Sequence, residues 1–88
     1  MASYRLSFKK PITKDFRLIP KDDLVGGILK RIEALADDPR PKGSEKLSGQ
    51  ERFRVRQGVY RIVYEIQDEE LVIVVVKVGH RREVYWER

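Results

Sequence analysis

The chain has 88 residues, and 19 lysines and arginines against 14 aspartates and glutamates give it a formal net charge of +5. A chain of this length buries little more than about 60% of its unfolded surface, so we expect one small domain over residues 1–88. It has no cysteine and one histidine, which excludes disulfides and thiolate chemistry and argues against a zinc site. No segment reads as a signal peptide or a membrane span, so we expect a cytoplasmic protein without a membrane partner.

The first half of the sequence predicts one strand followed by a helical hairpin. Tyr4 to Phe8 alternates apolar and polar residues, as a half-buried strand does. Pro11 begins a short helix that extends to about Leu18, and Asp22 is well placed to cap a second helix. The apolar residues of the second helix recur at helical spacing, which predicts one buried face. They are Leu24, Val25, Ile28, Leu29, Ile32, Leu35 and Ala36.

The second half predicts three consecutive antiparallel strands. They span Arg52 to Arg56, Val59 to Ile66 and Leu71 to Val78. The last strand is apolar on both faces, as is typical of an interior strand that is covered on both sides. One strand and two helices followed by a three-stranded meander predict an α+β domain with its helices on one face of the sheet.

Basic residues recur at positions that would share the other face of this sheet. Arg52, Arg54 and Arg56 alternate with apolar residues, so they point to one side of their strand. If Gln57-Gly58 forms a two-residue hairpin turn, Arg54 lies directly opposite Arg61. Like charges placed opposite each other repel, so the arrangement indicates a surface that binds a polyanion. A plain solvated sheet face is the alternative interpretation.

These residues resemble a known family of toxins. The likeness rests on the run RFRVRQGVYRIVYEIQDEELVIVVVKVGHRREVY, which KLSG precedes. It is similar to the C-terminal half of RelE-type toxins of type II toxin–antitoxin modules, within the wider RelE/ParE superfamily. The N-terminal strand and helical hairpin also match in order and length, so the resemblance covers essentially the whole chain. It implies a single RelE-like domain whose fold is similar to that of microbial ribonucleases.

The same resemblance implies a function and its partners. RelE toxins are mRNA interferases, endoribonucleases that cut mRNA in the ribosomal A site and thereby inhibit translation. Each is neutralised by a cognate RelB-like antitoxin. The partners expected for this chain are therefore an antitoxin, the ribosome and mRNA, with no small-molecule ligand.

The chemistry that the resemblance implies is a transesterification that needs no metal or other cofactor. The ribose 2′-hydroxyl attacks the neighbouring phosphorus, and Arg61 would brace the scissile phosphate. Arg81 would stabilise the leaving oxygen, and Tyr85 would accept the proton. Arg54 would stand with these catalytic groups and help to lower the pKa of the phenol. The residues expected to bind the RNA backbone are Arg52, Arg56 and Arg82.

Several alternatives stay open at this point. Arg52 and Arg54 stand where RelE has lysines, which keeps the charge but removes groups that could lose a proton near neutral pH. Tyr85 has an alternative role as a packing residue, in which case His80 or solvent would supply the base. A structural role is favoured for His80, because its side chain should point away from that of Arg81.

Two other functions would fit the same family. The segment YRIVYEI is shared with the ParE branch, whose members target DNA gyrase, so a toxin that binds gyrase without cutting RNA is the first alternative. A non-catalytic domain that binds only its antitoxin or RNA is the second. The convergence of Arg61, Arg81 and Tyr85 favours the nuclease, because a toxin that only binds protein has no need of it.

Overall fold

One strand, a run of helices and a meander of strands follow one another along the chain, in the order predicted. The computed structural model describes residues 3–10, 12–47 and 52–80. Among the helices of these residues, none is long and apolar enough to cross a membrane. The elements are β1 (Arg5–Phe8), α1 (Ile12–Arg17), α2 (Lys21–Asp23), a π-helical turn (Leu24–Ile28), α3 (Leu29–Asp37), β2 (Glu45–Lys46), β3 (Arg52–Gln57), β4 (Tyr60–Gln67) and β5 (Val72–His80).

The strands of the described residues form one five-stranded sheet in the order β1-β5-β4-β3-β2. β3, β4 and β5 make the predicted antiparallel meander, and β1 pairs in parallel with β5. β2 was not predicted, because a two-residue strand is too short to show any alternation. β5 lies between β1 and β4, which agrees with its apolar character on both faces.

The helices cover one face of the sheet, and the main core lies between the two layers. The predicted helical stripe is buried at Ile28, Ile32 and Leu35, whereas Val25 remains 51% exposed. Full burial of a side chain of this size contributes about 1.5–3 kcal/mol. The other fully or nearly buried members of this core are Ile12, Ile19, Val55, Ile62, Tyr64, Ile73, Val75 and Val78.

A second, smaller apolar cluster lies on the opposite face of the sheet. Leu47 and Val63 are buried there, and Val76 packs against them. Val63 pairs with Lys77, and Tyr64 pairs with Val75, so a bulge in β5 sits at Val76. The bulge inserts one extra residue between the two pairs, and this changes which side chains of β5 reach each face.

The second helical run begins earlier than predicted. Its first residue is Lys21, and Pro20 precedes it as the N-cap, with no hydrogen bond from a side chain. Asp22 therefore lies inside the first turn, and the prediction that it caps the helix is wrong. The ring of Pro20 restricts its φ to −54°, and a ψ of 139° keeps this residue outside the helix. The carboxylate of Asp22 still stands near the helix N-terminus, where the helix dipole favours negative charge.

Two glycines lie in the π-helical turn, where glycine normally weakens a helix. A Cβ atom on Gly27 would stand 2.9 Å from the side-chain Nε2 atom of Gln57, whereas a Cβ atom on Gly26 would meet no other atom within 4 Å. Gly27 therefore allows the helix to approach the end of β3 closely. Packing against this strand explains one of the two glycines.

Beyond Phe8, the edge of β5 is covered by α1 instead of by β1. β1 pairs with β5 only as far as Val75. Further along, the backbone N–H of Val78 donates a hydrogen bond of 3.1 Å to the Asp15 carboxylate. The Nζ atom of Lys77 lies 3.6 Å from the other oxygen of the same carboxylate. A side chain of α1 thus takes the place of a strand at this part of the edge.

Candidate functional site

The pairing of β3 with β4 decides which arginines face each other. Arg56 lies opposite Arg61, and Arg54 lies opposite Val63. The predicted pairing of Arg54 with Arg61 is therefore wrong, and the register differs from the predicted one by two residues. A register shift of two residues leaves every side chain on its predicted face, because side chains alternate between the faces with a period of two. The like-charged cross-strand pair is present, but with a different partner for Arg61.

The turn of this hairpin explains the error. Gln57 pairs with Tyr60, so the two turn residues are Gly58 and Val59 instead of Gln57 and Gly58. Gly58 has a φ of 61°, in the left-handed region that glycine adopts without a steric penalty. Glycine at the first turn position satisfies the hairpin as well as glycine at the second.

The face of the sheet away from the helices carries the basic residues, and we call it the arginine face. Among the described residues it holds Arg52, Arg54 and Arg56 on β3 and Arg61 on β4. Arg56 is exposed, whereas the other three are partly buried. The structure thus brings together the four predicted arginines that it describes.

Arg52 stands at the end of the arginine face and has an acidic neighbour. It lies directly opposite Glu65, and its Nε atom donates a 3.0 Å hydrogen bond to the carboxylate. Only about a quarter of each side chain is exposed. Arg52 is therefore held by the protein itself and has fewer donors left for another anion than an arginine without such a partner.

Glu45 brings a carboxylate to the centre of the arginine face. β2 places it opposite Arg54, whose Nη2 atom lies 2.6 Å from the Oε1 atom of Glu45. The hydrogen bond from Arg54 and the charges of Arg54, Arg56 and Arg61 hold the pKa of Glu45 below its ordinary value. Sequence reasoning missed this residue because it missed β2, and the segment SEKLSG has no periodicity that could have revealed it.

This arrangement can bind oxyanions but offers little acid–base chemistry of its own. Guanidinium groups stay charged and present several N–H donors in a fixed plane, which suits carboxylates and phosphates. The carboxylate of Glu45 already occupies one such position on Arg54. Among the described residues, no group of three or more His, Cys, Asp or Glu side chains converges as metal ligands would. The described residues of the arginine face can therefore stabilise a bound oxyanion electrostatically.

The remaining predicted site residues, Arg81, Arg82 and Tyr85, lie outside the described residues. β5 is described as far as His80, one residue beyond Gly79, which lies opposite Arg61. The ring of His80 packs edge-on against Tyr60 at 6.4 Å, on the side of the sheet that the helices cover.

Sequence comparison matches the chain to toxins of type II toxin–antitoxin systems. Residues 6–85 match the family model of the ParE toxin of type II toxin–antitoxin systems. The toxin RelG of Mycobacterium tuberculosis is 28% identical over 85 residues, which cover 93% of this chain and 95% of the relative. A RelE-like toxin protein of Escherichia coli is 30% identical over 81 residues, which cover 89% of this chain and 83% of the relative.

Structure comparison gives a matching result. A RelBE toxin–antitoxin complex from Mycobacterium tuberculosis contains a chain with a TM-score of 0.81 and 26% identity, covering 92% of this chain and 94% of that chain. A free-state variant of Escherichia coli RelE has a TM-score of 0.77 and 28% identity, covering 97% and 93%. A RelE–RelB complex from Pyrococcus horikoshii has a TM-score of 0.77 and 27% identity, covering 90% and 96%. The predicted α+β fold of the RelE type is confirmed.

Proposed function

The chain belongs to the RelE/ParE superfamily of toxins of type II toxin–antitoxin systems, and from this premise we propose that it is a ribosome-dependent mRNA endoribonuclease. The observation that carries the proposal is the cross-strand pair of Arg56 and Arg61, with Arg54 beside it on the arginine face. Like charges placed directly opposite each other repel, so an added anion at this pair would be stabilised, as the Glu45 carboxylate is beside Arg54. RNA cleavage by the 2′-hydroxyl passes through a phosphorane that carries additional negative charge. A cluster of guanidinium groups would stabilise that charge.

Each bond change in the proposed reaction has a corresponding group. The ribose 2′-oxygen forms a bond to phosphorus and the bond from phosphorus to the 5′-oxygen breaks, which leaves a 2′,3′-cyclic phosphate and a 5′-hydroxyl. Arg61 braces the phosphate, with Arg54 beside it. Tyr85 takes the proton of the 2′-hydroxyl. Arg81 stabilises the leaving 5′-oxygen directly or through a polarised water, and a water molecule supplies the proton that completes the 5′-hydroxyl.

The ribosome has a defined role in this proposal. Guanidinium groups bind the phosphates of any sequence, so the arginine face alone does not orient one particular nucleotide. Correct placement of the reacting atoms is worth several orders of magnitude in rate. We therefore assign the orientation of the mRNA to the ribosomal A site.

Primer extension on translated mRNA after brief induction tests the proposal directly. Purified protein should cut translated mRNA efficiently and naked RNA poorly at the same salt concentration. Equal cleavage of both substrates would indicate a ribonuclease that acts without the ribosome. The matched inactive control is Arg61→Ala, which removes the charge that braces the phosphate.

A second function is favoured by one finding, the match of residues 6–85 to the ParE toxin model. A ParE-like toxin would bind DNA gyrase and would not cut RNA. In that case Arg61→Ala and Arg81→Ala would still inhibit growth, and no cleavage would appear by primer extension. Loss of toxicity in both variants, with normal circular dichroism, would support the nuclease.

A RelB-like antitoxin is the proposed protein partner, since solved relatives include RelBE and RelE–RelB complexes. Acidic side chains of the antitoxin would pair with Arg56, because Arg52 and Arg54 already face Glu65 and Glu45. Attraction between opposite charges speeds association at low salt. The association rate should therefore fall as salt rises, and a rate that is independent of salt would remove electrostatics from neutralisation.

A further inference from the structure

A groove opens at the edge of the sheet where β2 stops. Within residues 3–10, 12–47 and 52–80, β2 pairs with β3 only at Phe53 and Arg54, and no strand of these residues pairs with the next residues of β3 on this side. The gap holds a cavity of about 320 Å³, which we call the edge groove. It is lined by Arg31, Gly43, Glu45, Arg54, Val55 and Arg56.

The edge groove carries an excess of positive charge. Three guanidinium groups line it against the one carboxylate of Glu45, which lies 2.6 Å from Arg54. Among the described residues, Arg31 and Arg56 have no ion-pair partner, and the Nε atom of Arg31 is shielded from solvent without a hydrogen-bond acceptor. Two of the three guanidinium groups are therefore left to balance an added anion.

The groove continues the arginine face around the sheet edge. Arg56 belongs to both, because it lies opposite Arg61 on the sheet and also lines the groove. Arg31 extends the row of cations to α3, in the layer of helices. A flexible polyanion that crosses Arg61 and Arg56 would next meet Arg31.

We propose that the edge groove is a second phosphate-binding subsite, in which Arg31 and Arg56 hold a phosphodiester of single-stranded RNA that neighbours the one at Arg61. This inference rests on the proposed function. It assigns Arg31, which the resemblance does not implicate, to substrate binding.

The lining of the groove favours RNA over an acidic protein segment. A docked peptide gains most of its affinity from apolar or aromatic anchors that fill pockets. The one apolar side chain of the lining, Val55, is 1% exposed and offers no such surface. A phosphate needs only the N–H donors of the arginines.

Arg31→Gln tests the proposal, and Lys30→Gln is the matched control. Lys30 precedes Arg31 on α3, is exposed, does not line the groove, and loses the same charge. The probe is a single-stranded RNA oligonucleotide with every 2′-hydroxyl methylated, so that it binds but is not cleaved. Its affinity is measured by fluorescence anisotropy over a range of salt concentrations.

Each phosphate contact to a single strand contributes about 0.7 to the slope of log affinity against log salt. Arg31→Gln should reduce the slope by about that amount, and Arg31→Lys should restore it. Lys30→Gln should leave it unchanged. Equal losses in both glutamine variants would show a diffuse effect of net charge and overturn the proposal. A loss of antitoxin affinity in Arg31→Gln with no change in RNA affinity would also overturn the proposal.

If Arg31→Gln does not fold, NMR of the wild-type protein provides a second measurement. The side-chain Nε–H resonance of Arg31 should shift when the oligonucleotide is added, and no shift would overturn the proposal. These readouts do not depend on cleavage. If the wild-type protein fails to cut translated mRNA but Arg31→Gln still reduces the salt slope of RNA affinity, the proposed function fails and the subsite stands.

Discussion

The two faces of the sheet are made by alternate residues of the same strands, and they differ in chemistry, although the arginine face also holds the small apolar cluster of Leu47, Val63 and Val76. The helix-covered face is apolar, with Ile62 and Val55 almost completely buried, while the arginine face carries Arg61 and Arg56 from the same two strands. Residues adjacent in sequence therefore contribute to different properties. We therefore expect that stability and the proposed activity can be changed separately by substitutions one position apart on β4.

Substitution of two neighbours on β4 should separate these properties most strongly. Ile62→Ala leaves a cavity in the core, which typically costs about 2–5 kcal/mol of unfolding free energy. Arg61→Ala removes a charge from the proposed phosphate site and should lower the cleavage rate by about 10²-fold or more. Urea unfolding and single-turnover cleavage on ribosomes measure the two effects.

The expected result is a crossed pattern. Ile62→Ala should lose stability and keep its cleavage rate under conditions where it remains folded, and Arg61→Ala should do the reverse. If Arg61→Ala unfolds at clearly lower urea than wild type, the arginine face contributes to stability and the separation fails.

Tyr85→Phe should have the next largest effect, and only on activity. It removes one oxygen and keeps the ring, so binding to ribosomes should hardly change while the single-turnover rate falls by about 10²-fold. The wild-type rate should rise with pH, because a phenol ionises only toward alkaline pH. The variant should lose that slope. A phenylalanine variant with wild-type rate and pH profile would make Tyr85 a packing residue.

Tyr64→Phe tests how much the buried hydroxyl of Tyr64 on β4 contributes to stability. Tyr64 is fully buried and its hydroxyl donates a 2.7 Å hydrogen bond to the carbonyl oxygen of Pro39. Loss of such a bond typically costs about 1 kcal/mol. Urea unfolding should show this loss, with cleavage unchanged. A variant as stable as wild type would mean that the hydrogen bond adds nothing net.

The same hydroxyl gives a pH dependence with a definite sign. Burial raises the pKa of Tyr64 to about 12, above the ordinary value of 10.0. The unfolded state therefore loses this proton at lower pH than the folded state. The stabilisation of the fold by the protonated Tyr64 hydroxyl is therefore fully present below pH 10, and it should be lost as pH rises toward 12. Tyr64→Phe should be less sensitive to pH in this range.

Glu45→Gln should have the smallest effect, on the arginine face. Removal of the carboxylate releases Arg54 and raises the net positive charge, so affinity for an RNA oligonucleotide should increase modestly. In wild type the pKa of Glu45 lies below the ordinary pKa of a glutamate. Its ion pair with Arg54 therefore stabilises the fold at pH values above that ordinary pKa, and this stabilisation is lost as pH falls through the lowered pKa. Weaker RNA binding by the variant would instead show that Glu45 positions Arg54.

The sequence predicted the two faces well because alternation in a strand does not depend on exact pairing. Arg54, Arg56 and Arg61 share a face whether the turn is placed at 57–58 or at 58–59. The predicted register of β3 against β4 was wrong, because the register depends on which turn position Gly58 occupies. Alternation reports the side of a strand, and turn geometry reports its register.

The parts of the site that escaped prediction are those without periodicity. β2 has two residues, so nothing in the local pattern marks Glu45 as a neighbour of Arg54. Arg31 lies on a helix whose apolar stripe was clear, but its place in the edge groove depends on where β2 ends. Such contacts arise from tertiary packing and cannot be read from one segment alone.

The contact of Asp15 with the edge of β5 has a consequence for self-association. An uncovered strand edge displays backbone groups that can pair with another chain and start aggregation. The carboxylate of Asp15 occupies the N–H of Val78 and lies beside Lys77, so this part of the edge presents a filled hydrogen bond and an ion pair to an incoming strand. A short helix with one well-placed carboxylate thereby protects a strand that is rich in valine from forming intermolecular sheets.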